Sequence, residues 1–221
     1  MAAFIAALNG SPITEATITL PRVGVWRADV TTTAAVVPPP GPAVLNLGGQ
    51  SMVGAFQRVG LGLDGNLTAR VVGGAGGLAV TVQPKSYRGV PLRIPLTDVL
   101  LTGKERLSPT ADPAVTGWTL TAWSTPRTSA SGALTALLQA VSGATWRVLL
   151  DGTIWVGFEA WAPAIVPDAV VTDSEPDQGR LTIASINPAV LPGQTYAGQR
   201  VGRVEHRLAD KMLRTTLFFG T

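Results

Sequence analysis

The sequence predicts a mainly β protein with one principal helix near residues 130–141. Three features support this prediction: short runs rich in β-branched residues between glycines and prolines, one apolar helical stripe, and an Asp-Gly pair between two β-rich runs. The 221 residues are 46% hydrophobic and 14% charged, which suits a packed core and excludes a disordered chain. A surface this poor in charge also indicates faces that partner subunits cover.

The first third of the chain is predicted to form consecutive strands. Ile13–Leu20 alternates loosely and is rich in β-branched residues, and Val23–Thr33 continues in the same style. Val36–Pro42 holds four prolines, which cannot donate hydrogen bonds to a sheet, so we predict a stiff loop there. Ala43–Leu47 and Met52–Val59 are the next predicted strands.

A glycine cluster, Gly73–Gly77, separates two further extended segments, Leu67–Val72 and Leu78–Val82. We predict that these segments form a hairpin or a tight bend. The cluster does not have the pattern of a dinucleotide loop, because Ala79 stands where a glycine is needed and a strand is predicted to follow. It is not a phosphate-binding P-loop either, because no Gly-Lys-Ser/Thr follows.

The pattern changes near residue 95. Ile94–Leu101 predicts a short helix, with Pro95 in its first turn and Gly103 beyond its end. The polar stretch Ser108–Thr116 is predicted to be a loop, and the large residues of Trp118–Trp123 alternate as in a strand.

The clearest helix comes directly before the clearest hairpin. Four residues at positions i, i+3, i+4 and i+7 form one apolar stripe: Leu134, Leu137, Leu138 and Val141. Thr128 or Ser129 can cap the start of this helix, and Gly143 ends it. We expect the helix to begin a compact helix–hairpin unit over residues 128–158.

The hairpin of this unit is predicted from Asp151-Gly152, which joins the β-rich runs 146–150 and 153–157. Leu137 and Leu138 are expected to pack under the hairpin beside Trp146 or Trp155. The unit is therefore predicted to have a structural role and not to form a binding pocket.

The C-terminal part begins with a predicted loop or boundary at Pro163–Gly179, which is rich in proline and acidic residues. Its acidic part, Asp168–Asp177, is expected to stay mobile or face solvent. Three strands are predicted after it: Arg180–Ile186, Arg200–Arg207 and Leu213–Phe219. The loop has four spaced carboxylates: Asp168, Asp173, Glu175 and Asp177. An EF-hand would place glycine and glutamate where Gln178 and Ala184 stand, so no metal site is predicted.

His206 is the only histidine of the chain, and serine-protease-type catalysis would need it as the base. It lies in an alternating segment, residues 201–207, which is typical of an exposed edge strand. No Gly-x-Ser-x-Gly motif occurs. We therefore predict a surface or interface histidine.

Three carboxylates, Glu105, Asp151 and Glu159, are possible members of a glycosidase pair, because such a pair meets only in the fold. Asp151 already has a role in the predicted turn. The six tryptophans would serve as a carbohydrate platform in an enzyme, but they are more often core or interface anchors. We predict no catalytic residue and no cofactor.

The net charge is +3, with five basic residues near the C-terminus: Arg200, Arg203, Arg207, Lys211 and Arg214. Glu205 and Asp210 dilute this stripe, which favours a solvated face over a nucleic-acid site.

The absence of cysteine excludes disulfides and thiolate metal sites. Met1–Asn9 lacks the basic start of a signal peptide, and no uncharged apolar run is long enough to span a membrane.

Ala130–Leu138, Gly143–Trp146 and Asp151–Gly157 follow the order helix, Gly-x-x-Trp, Asp-Gly-x-aliphatic. In this order they resemble the small inserted module of phage tail hub proteins, of which the late control protein D family is the best known. The segment Val201–Arg207 with the Thr-Thr-Leu strand after it resembles the last strand pair of a hub. Ile13–Val30 is similar to the opening strands of its first barrel.

The resemblance implies barrel-like β domains with a small inserted helix–hairpin (α+β) module. The implied domains are an N-terminal β-barrel-like domain over residues 1–100, the inserted module over residues 101–162, and C-terminal strands over residues 163–221 that complete a second barrel. Such subunits form a ring, in this family a trimer, which buries strand edges and apolar faces.

The function that the resemblance implies is structural and not enzymatic: a hub or tail-tip subunit of a virion that is assembled in the host cytoplasm. Its partners would be copies of itself, the tail tube, the spike and other baseplate proteins, with nucleic acid met only incidentally in the tail lumen. Two alternatives stay open: another β-rich virion protein, such as a distal tail or adhesin module, and a cell-wall glycosidase that uses Glu105 or Glu159.

Overall fold

The computed structural model describes residues 6–33, 41–62, 65–187, 189–209 and 212–220. Strands make up 52% of the described residues and helices 14%, which confirms the predicted mainly β class. In these ranges no helix is long and apolar enough to cross a membrane. The predicted proline-rich loop lies outside the described residues except for its last two positions, and so do Asp210 and Lys211.

The first strands of the chain close into a six-stranded barrel. They are β1 (Ala6–Leu8), β2 (Ser11–Pro21), β3 (Arg27–Thr32), β4 (Pro42–Leu47), β5 (Gln50–Leu61) and β6 (Leu67–Gly73). The order around the barrel is β1-β4-β5-β6-β3-β2, and β2 pairs back to β1. Asn9-Gly10 forms the turn between β1 and β2 with φ angles of 49° and 84°, a conformation in which asparagine and glycine are least strained.

The middle of the chain, residues 77–157, alternates short strands with helices. Its elements are β7 (Thr81–Val82), β8 (Lys85–Pro91), α1 (Arg93–Thr102), α2 (Pro113–Thr116), β9 (Thr119–Thr125), β10 (Thr128–Ser129), α3 (Ala130–Leu138), β11 (Thr145–Val148) and β12 (Ile154–Gly157). They form three two-stranded sheets: β7 with β10, β8 with β9, and β11 with β12. α1 packs against α3.

The last strands of the chain extend the barrel sheet outward from β2. They are β13 (Val170–Glu175), β14 (Arg180–Ala184), β15 (Thr195–Tyr196), β16 (Gln199–Ala209) and β17 (Met212–Phe219). β16 pairs with β2 on one side and with β17 on the other, and β14 and β13 follow in that order. The implied division of the chain at residues 100 and 162 stays a prediction.

Four local predictions were wrong or incomplete. Leu78–Val82 is not a strand paired with the preceding one, because it begins with a 3-10 turn at Gly77–Ala79 and its two strand residues pair with β10. Part of the predicted acidic loop is the strand β13, hydrogen-bonded to β14. β8 was not predicted at all. The predicted loop at Ser108–Thr116 ends in the short helix α2, which Asp112 caps.

The helix–hairpin unit has the predicted order of elements, but α3 ends at Leu138, before Val141 and the predicted end at Gly143. Ser129 caps α3 by accepting a hydrogen bond from the Gly132 N–H at 3.1 Å, and Asp151-Gly152 lies between β11 and β12. All four residues of the apolar stripe are buried. The Trp146 indole N–H donates to the Thr135 hydroxyl at 3.1 Å, which fixes this tryptophan against the helix. α1 is as long as α3, so the protein does not have a single principal helix.

Leu138→Ala is expected to lower the free energy of unfolding by about 2–5 kcal/mol, because truncation leaves a cavity at a buried site. Leu138 is 3% exposed. Urea denaturation followed by tryptophan fluorescence measures the loss. Gln139→Ala, at the exposed end of the same helix, is the matched control and should change stability by less than about 0.5 kcal/mol. A similarly small loss for Leu138→Ala would contradict the packing.

Candidate functional site

The glycine cluster and Glu105 form one structure. The Glu105 carboxylate, 5% exposed, accepts hydrogen bonds from the backbone N–H groups of Ala75 at 2.8 Å and Gly77 at 2.9 Å. Gly74 has a φ of 81°, and a Cβ there would lie 2.5 Å from the carboxylate. The loop therefore binds an anion through its amides, as phosphate loops do, but that anion is the chain's own side chain.

Glu159 has a comparable structural partner. Its carboxylate forms an ion pair with the Arg147 guanidinium at 2.5 Å, and the two side chains are 6% and 19% exposed. The Arg147 guanidinium also lies 4.4 Å from the centre of the Trp155 ring. Gly193, with a φ of 86°, comes so close to the pair that no side chain would fit. The ion pair thus joins the β11–β12 hairpin to the turn that precedes β15.

The structure brings together only two of the three candidate catalytic carboxylates. Glu105 and Asp151 line one cavity of about 410 Å³, together with Lys104, and Glu159 does not line it. Asp151 accepts hydrogen bonds from the Thr153 N–H at 2.9 Å and the Thr153 hydroxyl at 2.7 Å. Both carboxylates of the cavity are therefore already engaged, one by loop amides and one by its own turn.

The prediction of a surface His206 was wrong. His206 is 1% exposed, because β16 is an inner strand of the sheet and its residue 206 points into the core. Nδ1 lies 2.9 Å from the Thr215 hydroxyl, and Nε2 has no hydrogen-bond partner in the described part of the chain. Burial lowers the pKa of His206 from 6.5 to about 4, because desolvation penalises the charged imidazolium.

The depressed pKa of His206 predicts a specific loss of stability in mild acid. Above pH 6.5 the residue is neutral in both the folded and the unfolded chain. Between pH 6.5 and about 4 only the unfolded chain takes up the proton, so stability should fall by roughly 3 kcal/mol across this window and then level off. Urea denaturation of the wild type and of His206→Asn at each pH isolates this contribution from the carboxylates. A pH-independent difference between the two proteins would contradict the depressed pKa.

The acidic stretch is used within the fold. Asp173 and Glu175 lie on β13 and form ion pairs with Arg180. Asp168 accepts hydrogen bonds from the Ile186 N–H at 2.8 Å and the Ser185 hydroxyl at 2.9 Å, and the backbone bond is the main cause of its lowered pKa. Across the ranges that the structure describes, no three acidic or histidine side chains form a possible metal site.

The tryptophans divide between core and surface. Trp26 and Trp146 are buried, whereas Trp118 is 51% exposed. Trp123, on β9, stacks against Tyr87 of β8 with ring centres 5.7 Å apart. Trp161 lies under the guanidinium of Arg200, 4.8 Å from its ring centre. Two of the tryptophans are therefore core residues, as predicted, and the role of the others as interface anchors stays a prediction.

The four arginines of the predicted basic stripe lie on β16 and β17, and its lysine, Lys211, lies outside the described residues. Arg207 stands directly opposite Arg214, and both are exposed. The row continues over the barrel to Asp29 and Arg70, which form an ion pair at 2.7 Å. Charges of both signs are thus exposed on one sheet face, in agreement with the predicted solvated face.

Several strands leave one edge without backbone hydrogen bonds in the described part of the chain, and the longest of them are β13, which ends the large sheet, and β8 and β9, which pair only with each other. The β13 edge is flanked by exposed apolar residues, with Ile165 76% and Ile186 61% exposed. The sequence patterns predicted β9 but neither β13 nor β8. β8 contains Gly89 and two basic residues, so its pattern lacks the apolar alternation of a core strand.

Three solved structures share this fold over nearly the whole chain. The 43 kDa tail protein of prophage MuSo2 from Shewanella oneidensis has a TM-score of 0.70 at 9% identity, with 97% of this chain and 95% of that chain covered. The tail protein from Neisseria meningitidis MC58 has a TM-score of 0.67 at 13% identity, with 97% and 95% covered.

The third structure is the c3393 protein of E. coli, a component of the type VI secretion system with structural similarity to the T4 bacteriophage tail proteins gp27 and gp5. Its TM-score is 0.67 at 12% identity, with 98% of this chain and 77% of that chain covered. No protein-family model and no curated protein matches the sequence. At these identities the likeness is one of fold.

Proposed function

We propose that this protein is a structural hub or tail-tip subunit of a phage or phage-like tail, where it connects the tail tube to the central spike or fibres. The observation that carries the proposal is the fold agreement over 97–98% of the chain with two tail proteins and a type VI secretion component. Agreement over this length includes the barrel, the middle segment and the C-terminal strands together.

The roles of the polar residues support a structural function over a catalytic one. Glu105 binds the glycine loop, Glu159 pairs with Arg147, and His206 is enclosed in the core. Each residue that sequence reasoning considered for catalysis therefore has a partner or a position that serves the fold. We propose that the chain acts without catalysis, through its surfaces.

The proposed assembly is a ring of three copies, which would contact the tube on one side and the spike and other baseplate proteins on the other. A closed ring buries strand edges that a monomer leaves bare, and within the described ranges β13, β8 and β9 each leave such an edge. The proposed location is the tail tip of the virion, after assembly in the host cytoplasm.

Electron microscopy of purified tails tests the proposal. Tails from cells that carry the gene are reconstructed without imposed symmetry, and tails from a strain with the gene deleted serve as the comparison. We expect density for this fold as a ring between tube and spike, and its loss in the deletion strain. Copies elsewhere in the particle would favour another virion role, and a single copy that touches no other copy would exclude the ring.

A further inference from the structure

We propose that copies of this chain join head to tail, with β13 of one copy adding as an antiparallel strand to the free edge of β8 in the next copy. The inference rests on the proposed ring assembly and names the surfaces that form it. It starts from the free edges of β13 and β8 and from the opposite charges that these two strands carry.

β13 is unusually exposed for a strand. It ends the large sheet, and no backbone hydrogen bond reaches its outer edge within the described ranges. Neighbouring residues of a strand point to opposite faces, yet Val170 is 63% exposed and Val171 is 54% exposed, so neither face of this end is covered. Natural proteins rarely leave an apolar edge bare, because it pairs with other chains.

β13 and its flanks are acidic. Four carboxylates lie at residues 168–177, and Arg180 compensates two of them through ion pairs with Asp173 and Glu175. β8 and its flank are basic: Lys85, Arg88 and Arg93 lie within residues 85–93, and Asp98 compensates only Lys85. β9, the other strand of the ribbon, has no charged residue over Thr119–Thr125. The acidic edge therefore complements β8 and not β9.

The charges also decide against pairing of like edges. Two copies of β13 would bring Asp173 and Glu175 of both chains together, and two copies of β8 would do the same with Lys85 and Arg88. Like charges directly opposite each other destabilise a strand pair. The favoured contact joins two different surfaces, and such a head-to-tail contact closes into a ring when the rotation between subunits permits.

The residue order sets the direction of pairing. The pairing of β13 with β14 shifts register between Val171 and Asp173, and this shift belongs to the inner edge of β13. With regular spacing along the outer edge, an antiparallel pair with Asp173 opposite Arg88 places Val171 opposite Val90, so a charged pair and an apolar pair form together. A parallel pair with the same charged contact would place Val171 opposite Ser86 and Glu175 opposite Val90. Of the two directions, only the antiparallel one therefore forms both the charged pair and the apolar pair.

Disulfide trapping tests the pairing directly, because the chain has no cysteine of its own. Val171→Cys and Val90→Cys proteins are purified, mixed and oxidised. Opposite residues of paired strands have Cβ atoms about 4.5–5.5 Å apart, close enough for a disulfide after a small adjustment. We expect a cross-linked dimer from the mixture, and a closed oligomer from a chain that carries both substitutions.

Met212→Cys is the matched control, since Met212 is 56% exposed on another strand. Mixed with Val90→Cys, it should give only background cross-linking. The proposal is overturned if the mixture of Val171→Cys and Val90→Cys cross-links no more than this background. It is also overturned if Val171→Cys alone forms more homodimer than the mixture forms mixed dimer. Circular dichroism of each variant checks that the fold is retained.

The outcome separates this inference from the proposed function. Cross-linking of the purified proteins combined with absence from tails would leave the strand pairing standing and remove the tail role. A ring seen in tails whose subunits fail to cross-link at these positions would support the tail role and remove the strand pairing. Charge exchange adds a second readout: Asp173→Arg should abolish the cross-link, and Arg88→Asp in the other protein should restore it.

Discussion

Replacement of Glu105 by alanine is expected to lower the free energy of unfolding by about 3–5 kcal/mol, because the two charge-assisted hydrogen bonds of this carboxylate are lost together. The carboxylate holds the N–H groups of Ala75 and Gly77 and brings the loop after β6 against the end of α1. Without it, these two N–H groups lose the acceptor that the fold provides. Urea denaturation at pH 7 measures the loss.

Two variants make this result specific. Glu105→Gln keeps the shape and one acceptor oxygen but turns an N–H₂ donor toward a backbone N–H, so an intermediate loss of about 2 kcal/mol is expected. Glu15→Gln removes an exposed carboxylate and should change stability by less than about 0.5 kcal/mol. If the Glu105→Ala protein proved as stable as the Glu15→Gln protein, the loop would not need the Glu105 carboxylate to fold.

Trp26→Ala is expected to lower the free energy of unfolding by about 3–5 kcal/mol, the range for truncation of a large buried aromatic residue. Trp26 is 1% exposed, and its indole N–H donates to the Leu149 carbonyl at 3.2 Å, which links the barrel to the β11–β12 hairpin. The ring fills space left by two glycines: a Cβ would lie 2.9 Å from it at Gly54 and 2.5 Å from it at Gly73. The substitution therefore removes packing from the barrel wall and the hairpin together.

The control is a second tryptophan in a different environment. Trp118→Ala removes the same side chain at a site 51% exposed, so a much smaller loss is expected. Thermal unfolding monitored by circular dichroism compares the two variants. Gly73→Ala tests the same contact by adding atoms instead of removing them. A methyl group forced against the Trp26 ring should lower the free energy of unfolding by about 1–3 kcal/mol. Equal losses for the two tryptophan variants would show that Trp26 does not hold the barrel and hairpin together.

The sequence alone determined the features that depend on neighbouring residues. The helical stripe, the Ser129 cap and the Asp151-Gly152 turn were predicted, because capping, turn conformation and helical spacing act over a few residues. The strands on either side of Gly48 and Gly49 were predicted for the same reason. Strand content alone was enough to give the mainly β class.

Only the tertiary structure decided which strands are central and which lie at an edge. Alternation in residues 201–207 shows that the two faces differ, but β2, from the other end of the chain, makes β16 an inner strand and buries His206. Glu105 likewise has no sequence signal as a ligand of the glycine loop, because the two meet only after folding. Strand pairing and burial are long-range properties, so local patterns predict the strands and leave their partners open.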